Sequence, residues 1–118
     1  MSHHSVPVPE RFRPLLAHVI DLVAAGDLDG LRRDPRIALS DPDDPLYWVR
    51  EYPGTVVKLP EEAWEFAEVI IARDDGVTWS VAVDLWTAEE GRSDLILEAE
   101  VRQHRDGLVI EVENIHVW

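Results

Sequence analysis

The residues able to do chemistry in this chain are few and widely spaced. His116 stands in the closing run LVIEVENIHVW, two positions after Asn114. A histidine beside an amide in the mouth of a pocket can hold or move a proton, so His116 is the one catalytic candidate. Asp84 is the acid embedded in the apolar run VTWSVAVDLW, but the expected strand register sets it on the face opposite His116, which speaks against a working pair. Trp48 and Trp64 supply aromatic surface of the kind that lines pockets, and together with Asn114 and His116 they form the candidate pocket set. The densest polar run is LWTAEEGRSDL, where Glu89, Glu90, Arg92, Ser93 and Asp94 surround Gly91.

Other chemistries lack their residues. There is no nucleophile elbow, no phosphate-binding glycine loop and no zinc-binding histidine pair. Asp41, Asp43 and Asp44 lack the glycine and the distant glutamate of a calcium loop and read as acids at a helix start. The chain has no cysteine, so disulfides and thiolate metal sites are excluded. His3 and His4 carry no metal assignment. The expectation is no metal and no cofactor.

Charge narrows the partners. Eleven basic residues, Lys58 the only lysine, stand against 24 acidic ones, a net −13 over 118 residues. Such a surface repels phosphates and anionic membranes, so neither nucleic acid nor membrane is expected as a partner. A basic protein would be steered towards it. The N-terminal run MSHHSVPVPERF has no basic start followed by an apolar stretch, and no apolar run approaches the roughly 20 residues of a membrane span. These features predict a cytoplasmic protein.

Residues 1–9 read as a flexible arm and 10–118 as a single α+β domain. Phe12, Leu15, Leu16, Val19, Leu22 and Val23 recur at helical spacing, predicting a helix to Ala25 that Gly26 ends. Asp27 can cap a second helix in DLDGLRRD, and Leu46, Val49 and Tyr52 suit a third. TVVKL reads as a short edge strand, and EEAWEF as a possible helical turn. From Glu68 the pattern is β, in EVIIAR, VTWSVAVDLW, DLILEAEVR and LVIEVENIHVW. Asp-Gly pairs sit at two of the joints, the strongest short hairpin signal. The architecture expected is N-terminal helices on a curved antiparallel meander of four to five strands.

Strand pairing then assigns faces. A two-residue turn at Asp106–Gly107 sets Arg102 against Glu111, whereas the alternative sets Glu100 against Glu111, a like-charge pair; the first register is preferred. Leu85 opposite Leu97 places Trp79, Val81, Val83, Leu85, Leu95, Leu97, Ala99, Val101, Ile110 and Val112 on one inner face. Unbroken alternation puts Asn114 and His116 inward. Trp86, Ile96, Ile115 and Val117 then gather on the outer face beside Glu98 and Glu100, as an interface rimmed by acids. A bulge at Glu113–Asn114 would instead turn Ile115 and Val117 inward and His116 outward. The loop with Glu90, Gly91, Arg92 and Asp94 reads chiefly as the tip of the middle hairpin, with Arg92 held by its carboxylates.

The segments VDLWTAEEGRSDLILEAEV and IEVENIHVW resemble a small family of uncharacterised proteins. The element order resembles the cystatin-like and nuclear-transport-factor-2-like superfamily. That resemblance implies helices on a bent sheet, often around a cone-shaped cavity in which enzymes of the superfamily place an acid or base. Two functions follow as expectations. One is an acidic interaction protein, an immunity-type inhibitor of a basic partner in its specific form, self-associating through the outer sheet face as a homodimer. The other is a small-ligand-binding or isomerase/dehydratase-like cavity protein.

Overall fold

In the computed structural model, residues 6–117 are described; His3, His4 and Trp118 lie outside them. A 3-10 turn (Glu10–Phe12) leads into α1 (Arg13–Ala24), with Pro14 in the first turn, where its missing N–H is harmless. α1 buries Leu15, Leu16, Val19, Ile20 and Val23 on one stripe. Gly26, at φ 65°, ends it: its N–H reaches the Val23 carbonyl at 3.0 Å, and the Asp27 N–H reaches Leu22 at 2.9 Å. The Asp27 carboxylate then accepts the Gly30 N–H at 2.8 Å and caps α2 (Leu28–Arg33). α3 spans Tyr47–Glu51, and a second 3-10 turn spans Glu61–Phe66.

The fold is α+β, with a seven-stranded sheet in place of the expected four to five strands. Its long members are β4 (Glu68–Ala72), β5 (Thr78–Thr87), β6 (Gly91–His104) and β7 (Gly107–Val117), the antiparallel meander. Short strands extend it. β1 (Val6–Pro7) flanks β4, β2 (Ile37–Leu39) lies parallel to β7, and β3 (Val56–Val57) pairs with the end of β5. β3 falls within TVVKL, the expected short strand, whereas β1 and β2 carry too little alternation to be read as strands. Residues 6–9 are accordingly not a loose arm: Val6 pairs with Val69, and Val8 is buried with its N–H on the Ala67 carbonyl at 3.4 Å.

The inner face is as expected, and its side chains fill the space beneath α1. The registers differ. Val83 faces Leu97 and Val81 faces Ala99, a shift of two residues that keeps every side chain on its face. The β6–β7 turn is Arg105–Asp106, closed by His104 opposite Gly107, so Glu100 does oppose Glu111. The repulsion is offset. Arg73 and Arg102 reach Glu100 at 3.1 and 2.8 Å, and the Ser40 hydroxyl donates to the Glu111 carboxylate.

One residue later the ladder slips. Ala99 faces Val112 but Glu98 faces Asn114, leaving Glu113 as the extra residue of a β-bulge. This is the bulged alternative. It turns Ile115 into the core, packs Val117 against it, and puts His116 on the outer face. Among the described residues, no helix is long and apolar enough to cross a membrane.

Candidate functional site

The bulge rearranges the expected site. His116 lies on the outer face with its Nε2 2.6 Å from Glu98 Oε1 and its Nδ1 3.3 Å from the Val117 carbonyl. Asp84 shares that face, in the cross-strand row Asp84–Ile96–His116. Its carboxylate is already taken by Arg92, whose Nε donates at 2.7 Å and whose guanidinium lies 4.1 Å from the Phe66 ring centre. With Ile96 between them and separate partners for each, His116 and Asp84 do not form an acid–base pair. Trp64 is a core residue with the Arg13 guanidinium 5.5 Å from its ring, not a pocket wall.

The expected outer apolar patch is not there. Ile96 and Ile115 are 2% and 4% exposed. Trp86 and Val117 are half-buried against the core, Trp86 opposite Val57. Glu98 and Glu100 do stand on the outer face, Glu98 beside His116 Nε2 and Glu100 held by Arg73 and Arg102. The fold's ordering of β7 thus removes the surface on which self-association was expected.

The loop is a structural clamp. Gly91, at φ 78°, makes the turn in a conformation that a side chain opposes. The Tyr52 hydroxyl donates to Glu90 Oε1 at 2.6 Å and accepts the Asp94 N–H at 3.3 Å. Glu89 accepts the Thr55 N–H at 2.7 Å and its hydroxyl at 3.1 Å. Buried Ser93 donates to the Leu85 carbonyl at 2.7 Å and accepts the Leu95 N–H at 3.2 Å, closing the irregularity where Leu85 faces a widened β6. Arg92 pairs with Asp84 rather than with the loop carboxylates.

Two of the expected pocket residues do meet, in a groove of about 340 Å³ between α3 and the β7 bulge. Leu46 is buried and Val49 half-buried, one turn apart, so the face of α3 that carries Tyr47 and Trp48 is turned to solvent. Tyr47 and Trp48 are 46% and 43% exposed, and their rings meet edge to face at 5.3 Å. Asp41, Asp44, Glu113 and Asn114 complete the groove. Asp41 is fixed by accepting the N–H groups of Asp43 and Asp44 at 3.1 and 3.3 Å. Arg50 binds both oxygens of Asp44 at 2.7 and 2.8 Å, which holds that carboxyl below its ordinary value.

Glu113 behaves oppositely. Partial burial pushes its carboxyl up, and the negative charges of Glu100, Glu111 and Glu98 push it further. The bulge therefore thrusts an acid into a field that already favours a cation. Exposed aromatic rings beside the carboxylates of Asp41 and Glu113, which make no ion pair among the described residues, are the chemistry of cation binding, through ring quadrupole and charge together. Tyr47 and Glu113 were not anticipated. The adjacency of Tyr47 to Trp48 on a short helix was a usable signal, whereas the position of Glu113 follows only from the bulge.

Fold and site together define an acidic α+β protein with an acid-and-aromatic groove at the β7 edge of a seven-stranded sheet. Residues 20–118 match the family described as a domain of unknown function, DUF7668, and the chain belongs to that family. No curated protein and no solved structure matches it.

Proposed function

We propose that this chain is a non-enzymatic binding protein that captures an arginine or lysine side chain of a basic protein partner in the α3–β7 groove. The observation that carries the reading is the pair of exposed rings, Tyr47 and Trp48, set against Asp41, Glu113 and Asn114 in one groove. The net −13 supports it by steering a basic partner to the surface. An immunity-type inhibitor of a basic protein in the cytoplasm is its specific form. The cavity reading of nuclear-transport-factor-2-like type loses its polar residues, because Asn114 is exposed and His116 faces outward.

The test is an amide-shift titration with a short arginine-bearing peptide and its citrulline counterpart, which has the same shape without the charge. Saturable shifts at Trp48 and Asn114 with the arginine peptide alone are expected. Trp48→Ala should weaken binding about tenfold, the scale of a desolvated cation–ring contact. Equal binding of the two peptides, or shifts confined to other surfaces, would discard the proposal.

A further inference from the structure

The start of β7 gathers several of the chain's few basic side chains. Most of the surface is acidic, yet the turn between β6 and β7 and the start of α1 bring Arg11, Arg36 and His104 to the wall of one cavity of about 400 Å³. Asp106 is the only acid lining it, and Leu15 and Leu108 give it an apolar side.

The cations are held in different ways. Arg36 donates from Nε and Nη2 to the two oxygens of Asp34 at 3.1 and 2.8 Å, which fixes its plane and offsets part of its charge. Arg11 meets no carboxylate among the described residues. Its Nη1 reaches the neutral Gln103 Oε1 at 3.4 Å, and its guanidinium lies 4.8 and 5.0 Å from the Phe12 and Trp79 ring centres. Those rings and the amide position the side chain without neutralising it. In a chain with 24 acids against 11 bases, an arginine at a concave site held by rings and an amide rather than by a carboxylate keeps its full charge for an oxyanion.

We infer that this cavity binds a small organic oxyanion, a carboxylate or phosphate monoester with an apolar body, with Arg11 as the principal anchor, His104 as a second donor and Leu108 packing the body. The site is separate from the α3–β7 groove. Val109 lies beside it while the bulge begins beyond Val112, so one can fail without the other.

The experiment titrates the protein with benzoate and with phenyl phosphate, using neutral benzamide as the isostere, and follows the backbone amides of Leu108 and Val109. Saturable shifts with either anion and none with benzamide are expected, and the stronger of the two anions identifies the head group. Arg11→Gln should weaken the anion about tenfold, and Asp106→Asn should tighten it a few-fold by removing the one repelling carboxylate. Unchanged near-native amide spectra would show that both variants keep the fold; should Arg11→Gln lose it, His104→Gln, at the exposed end of β6, serves as the second weakening variant. Benzamide binding as well as benzoate, affinity unmoved in the folded weakening variant, or no saturation by about 10 mM of either anion would overturn the assignment.

Discussion

Asp34 is the most heavily engaged carboxylate, and it shows how one residue joins three elements. It ends α2, accepts the Arg36 N–H at 2.9 Å and both of the guanidinium bonds described above, and takes His18 Nε2 of α1 at 3.1 Å. The Arg36 guanidinium, above all, holds its carboxyl far below the ordinary carboxylate range. A depressed carboxyl contributes stability that is present above the unfolded value, about 3.9, and is lost as pH falls below it. Asp34→Asn is therefore expected to cost about 2 kcal/mol at pH 7, the scale of hydrogen bonds to a charged group, with the gap narrowing progressively below about pH 4. Urea denaturation of both proteins at several pH values checks this. A gap that is absent, or the same at every pH, would remove the ionic account.

At the scale of elements, the β5–β6 hairpin tip is tied to the segment after α3 by side chains rather than by a ladder. Tyr52 satisfies Glu90 and the Asp94 N–H at once, and the hydrogen bond to the Glu90 carboxylate, with burial behind it, raises its phenol above its ordinary value. Tyr52→Phe removes both bonds and keeps the ring, so a loss of about 1 kcal/mol is expected. Amide exchange should quicken at residues 88–94 while β6 beyond Ala99 stays protected. Exchange that quickens throughout β6, or nowhere, would mean that the tip and the sheet open as one unit. This tie was invisible in the sequence, because Tyr52 and Glu90 are brought together only by the fold. What was legible rests on periodicity: the stripe of α1, the faces of β5 and β6, the caps at Gly26 and Asp27. What was not legible has particular causes. β1 and β2 are too short for a pattern, and β2 pairs with a strand more than 70 positions away. The like-charge rule misjudged the β6–β7 register because Arg73, after β4, pairs with Glu100, and the Ser40 hydroxyl, after β2, donates to Glu111. Asn114 and Trp48 do share a pocket, but Asn114 reaches it by turning outward at the bulge rather than by facing the core.

For the whole molecule the deciding quantity is the balance between a large net charge and individually weak ion pairs. Charges of one sign repel across the folded surface and less so in the expanded chain, so −13 destabilises the compact state at low salt. Acting the other way are pairs such as Arg13–Glu61 at 3.2 Å, in which Glu61 is almost wholly exposed. Exposed pairs contribute at most about 1 kcal/mol each and are screened along with everything else. The repulsion is summed over the whole surface and reaches across the molecule at low salt, where the screening length is roughly 30 Å at 10 mM and falls to about 8 Å at 150 mM. Long-range repulsion is therefore screened more than contact attraction. The thermal midpoint is expected to rise as sodium chloride goes from about 10 to about 150 mM, and potassium chloride should do the same, since the effect belongs to ionic strength rather than to the ion. The arginine peptide should meanwhile bind more weakly over the same range, because screening that relieves the protein also blunts its pull on a cation. A midpoint that falls with salt would show that local pairs, not net charge, dominate this surface.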